Sequence, residues 1–151
     1  MSRLSKAPSE SQTVMTQLVI PNDANALGNL MGGRLLHMID IVGAMAASRH
    51  ANCPVVTAHI NEVNFREPVK IGDIVELCAK LVWVGNTSME VKVDIFREDI
   101  TTGQRMRTND ARLVFVALDS YGKPRQVPLL TLQTEQEQRE FEEAAARHNK
   151  K

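Results

Sequence analysis

Between Pro21 and Ala47 the chain reads PNDANALGNLMGGRLLHMIDIVGAMAA, and three kinds of group in it could act together on a carbonyl. Asn25 supplies a carboxamide from a turn-rich loop. Gly32 and Gly33 let a backbone approach a ligand closely at the start of a helix. Asp40 puts one carboxylate into a helix that is otherwise apolar nearly all round. An apolar helix is a buried helix, and a buried carboxylate is costly unless it is paired or used. Amide, carboxylate and the unsatisfied N–H groups of a helix start are what carbonyl chemistry needs: donors for a developing oxyanion and a group to handle a proton. Asp40 follows Gly33 by seven residues, which places both on one face about 10 Å apart along the axis. A side chain leaning back towards the N-terminus shortens that gap.

Positioning these groups falls to elements legible in the pattern. A short strand is expected from Val14 to Ile20, then the loop, then a helix from Gly33 to His50. Leu36, Asp40, Gly43, Ala44 and Ala47 share a face of small residues, against Leu35, Met38, Ile39, Val42, Met45 and Ala46 opposite. After Pro54 the period changes to two. A strand with a bulge near Asn61-Glu62 is followed by alternating runs through Val75–Trp83, Met89–Ile95 and Ala111–Ala117. Gly85-Asn86 and Thr101-Thr102-Gly103 read as hairpin turns. One helix apolar all round and one sheet with a single apolar face imply an α+β domain, the antiparallel sheet wrapped around one long central helix. Open sheet edges and a half-covered helix then call for a second copy.

At 151 residues the chain fits one domain with a real core. Residues 13–124 are expected to form it, with a disordered start over 1–12 and a peripheral tail or helix over 125–151. That tail has capping-box spacing at Thr134 and Glu137, a basic end, and little beyond Phe141 to bury, so a frayed helix without a chemical role is expected. Lys plus Arg equals Asp plus Glu at 18 each, so no global field draws nucleic acid or an anionic membrane. No apolar run reaches membrane-spanning length, and the polar start MSRLSKAPSESQ lacks a signal-peptide apolar region. Cys53 and Cys78 have neither metal-ligand nor disulfide spacing, which fits a reducing cytoplasm.

PNDANALGNLMGG, the acid in HMID, VVTAHINEVNF and the Pro-Val-x-x-Gly-Asp turn at Pro68–Asp73 together resemble the hotdog-fold acyl-CoA thioesterases, over roughly Val14 to Asp119. The nearest likeness is to the bacterial acyl-CoA hydrolases and their cytosolic long-chain relatives. The resemblance implies hydrolysis of acyl-CoA to a free acid and coenzyme A, without a metal or redox cofactor. It also implies a site at a homodimer interface and a trimer of dimers. The family's catalytic asparagine falls on Asn25, its acid on Asp40 and its strand threonine on Thr57. Asp40 would be general base or nucleophile, with Asn25 reaching it across the interface, and Gly32 and Gly33 would supply oxyanion donors. Coenzyme A would be met by cations such as Arg34 and Arg66 and by the hairpin residues Gly85 and Ser88.

Each residue also has a plainer reading. Asn25 suits an Asx-turn, Asp40 an internal ion pair, Thr57 any strand, and Gly32 and Gly33 tight packing. His37 and His59 read as structural, and Met31, Met38 and Met45 as core or acyl-tunnel lining. Two other functions stand beside hydrolysis. A hotdog hydratase or dehydratase would need a histidine, His37 or His59, beside the acid. A silent acyl-CoA-binding protein would need no turnover.

Overall fold

The computed structural model describes residues 3–149, the side chains of residues 62, 64 and 65 apart. The sheet elements are β2 (Thr13–Leu18), β3 (Val55–Phe65), β4 (Ile74–Val84), β5 (Ser88–Glu98) and β6 (Arg105–Ala117). They lie in the order β2-β4-β5-β6-β3, antiparallel throughout. The long helix α2 (Gly32–Ala51) packs on one face of this sheet. This is the hotdog arrangement. Alternation drives it: Val75, Leu77, Ala79 and Leu81 on β4, Val91, Val93 and Ile95 on β5, and Leu113 and Phe115 on β6 are buried against α2.

The helix sends Leu35, Met38, Ile39, Val42, Gly43, Ala46 and Ala47 into that core. His37 and Ile41 are exposed, and Asp40, Ala44 and Ser48 are half-buried, so one stripe of the helix stays uncovered. Gly43 and Ala47, expected on the face of small residues, are buried in the core. Gly43 is there because Phe115 presses on it: a Cβ at this glycine would lie 3.1 Å from the ring atoms Cε2 and Cζ.

Three features depart from the sequence expectation. Residues 3–12, expected to be disordered, contain β1 (Ser5–Lys6) and α1 (Pro8–Ser11). The strand pairs in parallel with β7 (Leu129–Leu130), and Arg3 donates from Nε to the Val127 carbonyl at 2.6 Å. Polar composition hid this because backbone pairing needs no apolar side chain. Next, β3 slips register twice, between Thr57 and His59 and between Ile60 and Glu62, so a second irregularity joins the expected one near Asn61. A third slip, between Leu81 and Trp83, takes Trp83 out of the apolar series and stacks it on His148, ring centroids 3.8 Å apart.

That histidine sits on α3 (Glu135–Asn149), which packs against β4. Instead of fraying for want of apolar surface, α3 is held by charge. Glu90 on β5 is fully buried and accepts from Arg147 Nη2 at 2.6 Å, with His148 Nε2 at 3.0 Å. Lys80 pairs with Glu137 at 2.9 Å and Lys92 with Glu140 at 3.3 Å. Thr134 Oγ1 accepts from the Glu137 amide at 3.0 Å, as the capping spacing implied. Lys150 and Lys151, expected at the helix end, lie outside the described residues.

At the other end of α2, His50 is fully buried and its Nε2 lies 2.8 Å from the Pro128 carbonyl, to which it donates. Its Nδ1 has no hydrogen-bond partner among the described residues. Burial pushes this imidazole below the ordinary 6.5, partly opposed by the Pro128 contact. The folded state therefore binds a proton less readily than the unfolded chain. Its contribution is complete above pH 6.5 and declines as pH falls from there towards the lower folded value. The thermal midpoint should drop between pH 7 and about pH 5, and this slope should be weaker in His50→Gln; parallel pH profiles for the two proteins would refute the assignment.

Candidate active site

Asp40 lies near the middle of α2 and Thr57 near the start of β3, an edge strand. The Thr57 hydroxyl donates to Asp40 Oδ1 at 2.6 Å. This leaves Oδ2 available to a proton or a carbon centre. Asp40 is half-buried, where a deeply buried acid was expected. The uncovered stripe of α2 explains it. Asp40, Ile41, Ala44, Met45, Ser48 and Arg49 line an open, mainly apolar groove of about 470 Å³ along that stripe.

The packing that sets this pair is Gly43 on Phe115. Phe115 is the register partner of Thr57 across β6 and β3, and Gly43 follows Asp40 by one turn of α2. The absent side chain at Gly43 thus fixes how near the acid comes to the strand that carries the threonine.

Asn25 stands elsewhere. Its Oδ1 accepts from the amides of Leu27 at 2.9 Å and Asn29 at 3.2 Å, the Asx geometry of the plainer reading. Two backbone donors identify that atom as oxygen, so Asn25 can offer a ligand only its Nδ2 donors. Asn25 and Gly32 line a cavity of about 340 Å³ together with Asn29, Arg66 and Asn109. The N-cap residue of α2, Met31, makes no side-chain cap, so the first-turn amides of Gly32 and Gly33 carry the unsatisfied donors of a helix start. A Cβ at Gly33 would meet nothing within 4 Å. Tight packing therefore does not account for this glycine within one chain.

The remaining candidates separate. Arg34 donates from Nε to Asp23 Oδ1 at 2.8 Å, a structural contact. Arg66 is exposed beside the Asn25 cavity, its own amide donating to Asn109 Oδ1 at 2.9 Å. Gly85 and Ser88 close the β4–β5 hairpin, the Gly85 amide donating to the Ser88 carbonyl at 2.8 Å. A Cβ at Gly85 would lie 2.9 Å from both Ser88 Oγ and Trp83 Cη2, so packing alone requires this glycine. His37 and His59 are exposed. The structure thus joins Thr57 by a hydrogen bond to Asp40, which lines the groove along α2, and gathers Asn25 with Gly32 and Arg66 around a separate cavity of the same chain.

Sequence reasoning passed over Asp23 and Asn109, both buried. Asp23 was hidden in a loop whose acids and amides all read as turn formers. Its carboxyl is held below the ordinary 3.8 by the adjacent Arg34 guanidinium, which outweighs the opposing effect of burial.

Gly43→Ala tests the helix–sheet spacing. Overpacking against a buried ring costs about 1–3 kcal/mol, more than the roughly 1 kcal/mol that alanine gains over glycine in a helix. Urea unfolding should show a net loss of about 1 kcal/mol; a gain would mean that Phe115 moves aside freely.

Comparison with known proteins identifies the family. Residues 27–104 match the family model described as the Thioesterase superfamily. Over 128 residues the chain is 41% identical to an uncharacterized acyl-CoA thioester hydrolase of Bacillus subtilis, YkhA, covering 85% of this chain and 74% of that protein. Among solved structures, an apo hexameric acyl-CoA thioesterase has a TM-score of 0.94 at 41% identity, covering 97% of this chain and 94% of the other. An acyl-CoA hydrolase from Staphylococcus aureus, solved with butyryl coenzyme A, coenzyme A and coenzyme A disulfide, has a TM-score of 0.90 at 35% identity over 97% and 89% of the two chains. Other structures of the S. aureus enzyme carry alanine in place of an asparagine, an aspartate or a threonine. With this family model spanning more than half its length, the chain belongs to the thioesterase superfamily.

Proposed function

We propose that this protein hydrolyses acyl-CoA thioesters, with Asp40 as the group that activates the nucleophile. The observation that carries the reading is the Thr57–Asp40 hydrogen bond at 2.6 Å on an open apolar groove. It holds one carboxylate oxygen and frees the other beside a surface suited to an acyl chain. Asp40 Oδ2 takes a proton from water as the water oxygen bonds to the thioester carbon. The carbonyl becomes an oxyanion, the C–S bond then breaks, and coenzyme A leaves as a thiolate that is protonated from solvent. Direct attack by Asp40 through an anhydride is the alternative course of the same reaction.

The oxyanion needs donors, and in one chain the free ones lie in the other cavity: the Gly32 and Gly33 amides and Asn25 Nδ2. A homodimer resolves this separation by bringing the Asn25 loop of one protomer to the Asp40 groove of its partner. The uncovered stripe of α2 and the open edge of β3 lie side by side for such a partner. The hexameric state of a similar thioesterase supports a trimer of such dimers. The replacement of one asparagine, one aspartate and one threonine in the S. aureus enzyme involves the same residue types as Asn25, Asp40 and Thr57. Arg66, exposed beside the Asn25 cavity, is the candidate cation for the coenzyme A phosphates. Water, a base and donors suffice for this reaction, so the mechanism calls for no metal or redox cofactor. The free thiols of Cys53 and Cys78 suit a reducing cytoplasm, and among the described residues no helix is long and apolar enough to cross a membrane.

The hydratase reading needs a histidine on the acid, whereas the hydrogen bond Asp40 receives comes from Thr57. The decisive measurement is thiol release from a panel of acyl-CoA esters by wild type and Asp40→Asn. Release should fall by about 10²–10⁴-fold in the variant, with oligomeric state and coenzyme A binding retained. A folded wild-type oligomer that releases thiol from no ester would overturn the hydrolase assignment. Gly33→Ala supplies a second check. Its melting midpoint should hold or rise, because the methyl meets open space, while turnover falls as the backbone donors are shielded. Unchanged turnover would remove Gly33 from the oxyanion site.

A further inference from the structure

Asp23 holds both ends of the loop carrying Asn25. Its backbone carbonyl accepts from the amide of Met31, the N-cap of α2, at 2.9 Å, and its amide donates to the Ile20 carbonyl at 2.9 Å. Its fully buried carboxylate accepts from Arg34 Nε in the first turn of α2 at 2.8 Å, and from the Ile20 amide at 3.3 Å and Gln17 Nε2 at 3.5 Å. The chain leaves Asp23, forms the Asx turn of Asn25 and returns to Asp23 at Met31. Within the loop the Asn25 amide donates to the Asn29 carbonyl at 2.9 Å, and the Leu30 amide donates to the Val69 carbonyl at 2.7 Å.

A carboxylate is required at this place. Every group facing it is a donor, so an isosteric amide would turn an N–H towards another N–H. It also offsets the positive charge of Arg34, which is otherwise unfavourable at a helix N-terminus. A buried carboxylate of this kind is stable only while its partners hold position, which ties strand β2, the loop and the helix start into one unit.

We propose that Asp23, acting through Arg34 and Met31, is a positioning residue that aims the Asn25 carboxamide for catalysis. The proposal rests on the hydrolase reading above. It makes the Asp23–Arg34 pair part of the reaction geometry and withdraws Arg34 Nε from coenzyme A recognition.

The test combines Asp23→Asn and Arg34→Gln, each alone and with Asn25→Ala, in the full-length oligomer. Arg34 is half exposed, at 46% of its side-chain surface. Its glutamine variant loses little packing and keeps a side-chain amide that can donate to the Asp23 carboxylate, so it is the milder of the two substitutions. Each single variant should lower kcat for thiol release on the order of tenfold or more, because small misplacements of a reacting group carry large costs. KM should change little, since the aimed group acts on the transition state. In the Asn25→Ala background either substitution should add less than about twofold, because the side chain it aims is gone. Amide hydrogen exchange should quicken at Asn25, Gly28 and Met31 and stay unchanged in β5. Full additivity with Asn25→Ala, unchanged kcat, or unchanged exchange at these amides would overturn the proposal. A wild-type oligomer that releases no thiol would instead sink the hydrolase reading, and exchange would still decide whether Asp23 orders the loop.

Discussion

The structure depends on how closely α2 can approach the sheet, and Gly43 decides that distance. Phe115 is fully buried and lies against the bare backbone of this glycine. Were a larger residue there, the helix would stand further out and the core from Val42 to Leu113 would loosen, since protein interiors tolerate little change in volume. The same contact sets the acid–threonine pair. Asp40 stands one turn before Gly43, and Thr57 pairs with Phe115 in the sheet. Core packing and the acid–threonine hydrogen bond are therefore one geometric condition, met on two faces of the same helix.

A second constraint is that one sheet and one helix leave apolar surface uncovered. The outer sheet face is closed within the chain by α3, largely through charge: Glu90 with Arg147 and His148, Lys80 with Glu137. The stripe of α2 that carries Asp40 is not closed in this way. Its groove and the open edge of β3 are the surfaces a second copy would cover. On the proposed reading, Asp40 would stay wet in the single chain and lose water only on assembly, when electrostatic interactions strengthen. Oligomerisation would thus link the stability of the assembly to the reactivity of its site.

The glycines illustrate how one residue type serves different ends. Gly85 is required by Trp83 and Ser88, and Gly43 by Phe115. Among the described residues of one chain, Gly33 has room for a side chain and no packing reason to lack one. Sequence alone reads Gly43 as part of a small face, Gly33 as a place of close approach and Gly85 as a turn, without saying what each one meets. Only the surroundings separate glycines that admit the protein's own atoms from one free to admit a ligand.

The sequence by itself determined the central helix and the long strands, because the alternation of β4, β5 and β6 and the helical spacing of α2 are local patterns written by neighbouring residues. Its likeness to contiguous family motifs also singled out Asn25, Asp40 and Thr57 as candidates. The tertiary structure decided what lies across long separations. Glu90 and His148 are 58 positions apart and meet only once the sheet and α3 are in place. Trp83 leaves the apolar series at a register slip that period-two reading passed over. Asp23 looks like any turn acid until Arg34 and Met31 close on it. The placement of Asn25 and Asp40 in separate cavities of one chain was decided by folding as well. Local periodicity fixes which way a side chain tends to point, but register, bulges and burial fix what it meets.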